Sequence, residues 1–184
     1  MRVLNLGCGH KKTEFPEAAQ AREVVGIDAN PLSNADFIHD LDVFPYPCDS
    51  NRFDLVILQD VVEHLQSLPR VLAEVHRVLR PGGTARIRTP HYSSIHAHND
   101  PTHLRCFGAL VFQWFERPTP NDPFGPARFK LTKREIHFLK PWSLLGVKWM
   151  ANRYPMIYEK HFAYVFRAEN MVFELQAIKD SPIT

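Results

Sequence analysis

The first nine residues constrain this chain more than any others. Arg2 to Leu6 is a short apolar run that leads straight into Gly7-Cys8-Gly9, and a second apolar run, Val24-Val25-Gly26-Ile27, ends on Asp28. Strand, glycine turn, crossover, strand and carboxylate, in that order, open a parallel sheet. They bring the turn and the carboxylate together at the carboxyl edge, where nucleotide-like ligands bind. Glycine lets the backbone approach a ligand because no Cβ stands in the way. A carboxylate about 20 residues beyond the turn is placed to accept two hydrogen bonds from a ribose diol. The order predicts a nucleoside-bearing cofactor. The ordinary readings are a plain tight turn at Gly7-Cys8-Gly9 and an Asp28 that only starts the turn at Asn30-Pro31.

The same stretch discriminates between cofactors. A dinucleotide site requires a third glycine, so that a helix packs close to the strand and its N-terminus receives a pyrophosphate. That position is Lys12 here, preceded by His10 and Lys11, and Pro16 interrupts the residues beyond it. Any helix between the first two strands is therefore short and irregular, which disfavours an NAD-dependent oxidoreductase. S-adenosylmethionine carries a ribose and an adenine but no phosphate, and needs only the turn beside its amino acid end.

A length of 184 residues predicts a single domain, 1–184, with a substantial core. The net charge of +2 gives no argument for a nucleic-acid or anionic-membrane partner. No stretch reaches the ~18 apolar residues of a membrane span, and a core strand beginning at residue 2 is not a signal peptide. Cys8, Cys48 and Cys106 are odd in number, far apart and outside any C-x-x-C pair. They read as free thiols in the reducing cytoplasm, with no structural zinc.

The first half alternates between strands and helices. Phe37 to His39 is a short third strand, Phe53 to Leu58 a central one buried on both faces, and Thr84 to Thr89 a fifth. Leu68, Val71, Leu72, Val75, Val78 and Leu79 form one helical stripe, stopped by Pro81-Gly82-Gly83. Such alternation predicts a doubly wound, mostly parallel sheet. Residues 90–150 change character and read as a substrate-side insertion or lid, with a helix within Leu104 to Phe115 and an extended path through Pro118, Pro120, Pro123 and Pro126. His161 to Arg167 and Met171 to Ile178 read as a terminal hairpin around Ala168-Glu169-Asn170.

With these pieces placed, the chain resembles the class I S-adenosylmethionine-dependent methyltransferases, in particular small type 11-like members with a shortened first helix. The matching stretches are Leu4-Asn5-Leu6-Gly7-Cys8-Gly9, Gly26-Ile27-Asp28, His39-Asp40-Leu41, Phe53-Asp54-Leu55-Val56, Val62-Glu63-His64-Leu65 and Leu79-Arg80-Pro81-Gly82-Gly83. The resemblance implies a seven-stranded Rossmann-like sheet and S-adenosylmethionine as cofactor. It implies that Gly7, Cys8 and Gly9 cradle the methionine portion, that Asp28 holds the ribose hydroxyls, and that Asp40 and the Leu41 backbone read the adenine. Gln59 would face the sulfonium. The family often has an acidic residue at Asn5 and a glycine at Lys11. Asn5 retains a side-chain carbonyl for the turn or the cofactor ammonium, and Lys11 is placed to reach the cofactor carboxylate or solvent.

The catalytic candidates lie after the fifth strand. His91 and His103 sit toward the carboxyl edge, and a histidine near neutral pKa can take a proton from an attacking group. His96, His98, Asp100 and His103 match metal-ligand residue types, but an irregular loop offers no rigid presentation and the resemblance carries no metal, so none is expected. Glu63-His64 reads mainly as a helix start complementing the dipole, with an acid/base couple as the other reading. Phe138 to Met150 reads mainly as core, with a dimer face or an acceptor wall as the other readings. The expected activity is methyl transfer to an O, N or C nucleophile of a small-molecule or glycan-type acceptor. The competing reading is a non-catalytic S-adenosylmethionine-binding regulatory or assembly protein.

Overall fold

A computed structural model describes residues 1–116 and 127–179. The strands are β1 (Arg2–Leu6), β2 (Glu23–Asp28), β3 (Phe37–Ile38), β4 (Phe53–Gln59), β5 (Leu79–Pro90), β6 (Arg128–Phe138) and β7 (Ala168–Ile178). They form one seven-stranded sheet in the order β3-β2-β1-β4-β5-β7-β6. Strands β1 to β5 pair in parallel, and β7 runs antiparallel to both β5 and β6. This is the expected mostly parallel, doubly wound sheet.

Strand order reverses between β1 and β4, whose Leu6 and Leu58 are register partners. Such a reversal leaves a crevice at the carboxyl ends of the two strands, because their crossovers leave toward opposite faces. The glycine turn comes directly after β1 there, and Gln59 ends β4. Both strands are buried along nearly their whole length, which fixes this edge.

Helix α1 (Leu68–Val78) holds one face of the sheet. Leu68, Val71, Leu72, Val75 and Val78 are all buried in the main core with Leu4, Leu6, Val56 and Leu58. Each such side chain contributes ~1.5–3 kcal/mol of transfer free energy, an upper figure given a partly collapsed unfolded chain. Between β1 and β2 there is only one 3-10 turn, Pro16–Gln20, as Pro16 predicts. The remaining helices are short: α2 (His96–Asn99), α3 (Lys140–Leu144), α4 (Val147–Arg153) and α5 (Pro155–His161).

Two expectations fail. The outer antiparallel partner of β7, beside β5 on its other edge, is not His161 to Arg167 but β6, and residues 139–167 connect β6 and β7 through α3, α4 and α5. Phe162 to Phe166 is an apolar, aromatic-rich run like a strand, yet it comes after α5 and closes it: Phe162 N–H donates to Tyr158 O, and Tyr158 O–H donates to Phe166 O at 2.7 Å. Strand β6 is hidden in the sequence because its register shifts between Leu131 and Lys133, which breaks the period of two. Residues 128–138 of the expected lid segment are therefore the sheet's edge strand, and the Leu104–Phe115 helix reduces to a 3-10 turn, Val111–Phe115. The extended path across Pro118 to Pro126 lies outside the described residues.

Phe138 to Met150 divides between readings. Val147 is buried and Phe138 packs on Tyr158, whereas Leu145 and Trp149 are exposed. Among the described residues, no helix is long and apolar enough to cross a membrane, and Cys8, Cys48 and Cys106 are free thiols.

Candidate active site

The glycine turn is held open by backbone geometry. Gly7 and Gly9 have φ of +66° and +50°, in the left-handed region that favours glycine. Gly7 N–H donates to Ile27 O at 2.8 Å, and a Cβ on Gly7 would lie 2.4 Å from Val61 Cγ2. The turn thus rests against the segment after β4. Asn5, buried beneath it, donates from its side-chain amide to Lys12 O at 3.0 Å. Asp28 ties the turn to β2: its carboxylate accepts Gly9 N–H at 2.7 Å and Asn30 N–H at 2.8 Å. The turn-forming role of Asp28 is therefore real and sits beside any role toward a ligand. Lys12 turns away to Asp36 at 3.0 Å, while Lys11 pairs with Glu14 at 3.3 Å.

A cavity of about 640 Å³ opens over this turn, lined by Asn5, Gly7, Cys8, Gly9 and Gln59 among others. Five of the eight expected cofactor residues therefore share one cavity. Asp28 adjoins it through Gly9. Asp40 and Leu41 do not line it: Asp40 is exposed and accepts Asp42 N–H at 2.9 Å, and Leu41 is buried with its carbonyl accepting Tyr46 O–H at 2.9 Å.

A second cavity, about 590 Å³, lies beyond, lined by residues after β4 and by the segment after β5, including Glu63, His64, Asn99, Asp100 and His103. The two cavities share Asp60 and Arg88. These residues form an ion pair at 2.7 Å, and Asp60 N–H donates to Arg88 O at 2.9 Å. Asp60 holds a left-handed φ of +54°, a strained value for a residue with a Cβ. Burial pushes its carboxyl pKa up, with Arg88 opposing the shift.

Glu63, read as a helix-start residue, is only 1% exposed. One carboxylate oxygen accepts the Thr89 hydroxyl at 3.0 Å, and the other is buried with no partner. Burial raises its pKa. Leu104 N–H donates to Glu63 O at 2.9 Å, which clamps the His103 segment against the turn after β4. The His64 and His103 rings meet edge to face at 4.6 Å, and one ligand atom from each of Glu63, His64 and His103 lies within 4.8 Å of the others. Sequence spacing grouped His103 with Asp100, His96 and His98. Asp100 stays beside His103 at 3.9 Å, but His96 faces Glu169 at 3.6 Å and His98 Nε2 meets Tyr92 O at 2.8 Å. The pairing of positions 63–64 with 103 crosses two elements and leaves no spacing signal.

His91 does not face either cavity. It is fully buried, with Nδ1 at 2.8 Å from Ser93 Oγ and Nε2 at 3.3 Å from Glu159. Glu159 also accepts Ala109 N–H at 2.5 Å, so it staples α5 to the segment after β5. Burial works upward on the Glu159 carboxyl, but these hydrogen bonds hold its pKa below the usual value. With both nitrogens engaged inside the fold, His91 has no free site for a reacting group.

Comparison with known proteins fits this geometry. A family model described as a methyltransferase domain matches residues 4–87. The 2-phytyl-1,4-naphtoquinone methyltransferase of Nostoc punctiforme is 35% identical over 80 residues, covering 44% of this chain and 32% of that protein. The phthiotriol/phenolphthiotriol dimycocerosates methyltransferase of Mycobacterium leprae is 34% identical over 95 residues, covering 45% and 35%. The chain thus spans about a third of the length of these curated relatives. Its fold matches the crystal structure of a SAM dependent methyltransferase from Archaeoglobus fulgidus, with TM-score 0.64 and 19% identity over 95% of this chain and 85% of that one. The resemblance and fold class read from the sequence are borne out.

Proposed function

We propose that this chain, whose residues 4–87 match the methyltransferase domain, is an enzyme that moves a methyl group from S-adenosylmethionine to a nucleophilic atom of a small-molecule acceptor. The observation that carries this reading is the pair of cavities meeting at Asp60 and Arg88, one over the glycine turn and one beside Glu63, His64 and His103. A transfer reaction needs two such chambers with a shared boundary, so that donor and acceptor are held in line.

The residues of the first cavity fit the cofactor. Gly7 lets the turn pack against Val61, where a Cβ would clash, and Asn5 and Gln59 supply polar groups at the ends of β1 and β4. In this reading Gly7, Cys8 and Gly9 hold the methionine end and Asp28 the ribose diol. Asp40 and the Leu41 backbone take the adenine, out on the open edge beside β3. When bound, S-adenosylmethionine supplies a methyl group on a sulfonium sulfur, already activated for displacement. The chain then has to exclude water, orient the acceptor and receive its proton.

The second cavity takes the acceptor, with the 90–150 segment as its wall through Pro90, His96, Asn99, Asp100, Pro101 and His103. Its lining of histidines, carboxylates and amides suits a polar head with a hydroxyl or carbonyl group. The relatives' names carry quinones and lipids, which combine such a head with an apolar body. The Glu63–His64–His103 cluster is where the acceptor's proton would be taken up, with His103 in the role expected of it; His91 has none.

An assay of S-adenosylhomocysteine release across naphthoquinol, lipid-phenol and glycan acceptors tests the reading. Acceptor-dependent release that falls in His103→Ala supports it. Cofactor binding without release on any acceptor would favour the non-catalytic alternative.

A further inference from the structure

We propose that Glu63, His64 and His103 form a binding site for one divalent transition-metal ion at the floor of the second cavity. Two neutral imidazoles and one carboxylate are the donor set of zinc, manganese or ferrous sites that keep positions open for an exogenous oxygen.

The hydrogen bonds fix which atoms are free. Thr102 Oγ1 lies 2.6 Å from Asp100 Oδ1 and 2.9 Å from His64 Nδ1. The carboxylate only accepts, so the hydroxyl proton goes to Asp100 and the hydroxyl must accept from His64 Nδ1–H. His64 Nε2 is left with its lone pair. His103 Nδ1 faces Ala97 O at 3.3 Å, a carbonyl that also only accepts, so its proton sits on Nδ1 and its lone pair on Nε2. Partners of this kind, set behind histidines, orient metal ligands. Glu63 contributes a carboxylate oxygen that is buried and unpartnered, in a residue only 1% exposed that lines the cavity.

One donor atom from each of Glu63, His64 and His103 lies within 4.8 Å of the others, and with both rings neutral Glu63 Oε1, His64 Nε2 and His103 Nε2 have no hydrogen to give. Left empty, that arrangement is repulsive, and a buried carboxylate oxygen without a partner is costly. A cation resolves both. Asp100 Oδ2, 3.9 Å from His103 Nε2, adds negative potential, while Asp60 on the same cavity is matched by its ion pair with Arg88. A metal here would hold an acceptor oxygen and lower the pKa of its hydroxyl, whose proton would pass to solvent, so that His103 serves as base only in the metal-free chain. That use rests on the methyltransferase reading; metal binding itself does not.

The test is calorimetric titration of the chelator-treated full chain with ZnCl₂, alongside the visible absorption of the Co²⁺ form. The expected result is one ion per chain, weakened at least about tenfold in both Glu63→Gln and His103→Ala and unchanged in His161→Ala, since even outer-shell losses reach that size. No binding, or binding indifferent to Glu63→Gln and His103→Ala, would overturn the site. A separate titration with S-adenosylmethionine reads the methyltransferase proposal: its failure leaves a positive metal result standing.

Discussion

Arg88 and Asp60 are joined at 2.7 Å on the boundary shared by the two cavities. Both side chains are about 40% exposed, so the pair contributes only ~0–1 kcal/mol to folding. Its position gives it a different weight in turnover. Arg88→Met should shift the melting temperature by no more than a few degrees, as expected of ~1 kcal/mol. It should lower kcat/KM for the acceptor by more than about tenfold, ~1.4 kcal/mol of transition-state stabilisation. Loss of stability without loss of turnover would show that the pair is only a brace.

The two glycines of the turn should respond differently to the same change. Gly7→Ala meets both a left-handed φ and Val61 Cγ2, whereas a Cβ on Gly9 has nothing within 4 Å. Left-handed strain costs ~1–2 kcal/mol and overpacking a further ~1–3. Urea denaturation should show Gly7→Ala the more damaging by at least ~1 kcal/mol. Val61→Ala should recover part of the loss in a double-mutant cycle. Equal costs would mean that Val61 yields freely.

Asp28→Ala should weaken S-adenosylmethionine binding by ~1–3 kcal/mol, the cost of leaving polar groups without their partners. The turn complicates that result, since Asp28 also accepts Gly9 N–H and Asn30 N–H. Asp28→Asn keeps one side-chain carbonyl for Gly9 and separates the two roles. If affinity falls with both changes while far-ultraviolet dichroism stays constant, Asp28 is the ribose partner. Affinity unchanged in Asp28→Ala would assign the ribose elsewhere.

Glu63 predicts an unusual pH dependence. Burial raises its pKa above the ordinary 4.5. The folded protein therefore keeps a proton that the unfolded chain has already lost. Stability falls as pH rises through the folded value, and no penalty exists below the unfolded one. In metal-free protein, Glu63→Gln should raise the melting temperature at pH 8 and change it little at pH 4, its amide oxygen still accepting Thr89 O–H. Saturating Zn²⁺ should reverse the order at pH 8, because binding to the folded state adds stability that the variant forgoes. Equal effects at both pH values would place a partner on Glu63 Oε1.

The parts legible in the sequence were those governed by local rules. The period of α1, the apolar run of β4 and the glycine turn each depend on residues within one element, and the structure matches them closely. Lys12 and Pro16 likewise announced the missing first helix. The parts that were not legible depend on contacts between distant segments. The clamp from Leu104 N–H to Glu63 O turns an apparently ordinary Glu-His pair into the wall of a cavity. The His91–Glu159 contact spans 68 positions and converts an expected base into a buried brace. Phe162 to Phe166 resembles a strand because a short apolar, aromatic-rich run fits one equally well until the partner strand β6 is seen.

The cavity over Gly7-Cys8-Gly9 is assigned to S-adenosylmethionine, and the rest of the functional reading depends on that assignment. Calorimetric titration of the full chain with the cofactor tests it most directly. One molecule should bind per chain, with affinity reduced in Asp28→Ala and no comparable heat with NAD. Absence of binding by S-adenosylmethionine, or equal binding of NAD, would contradict it.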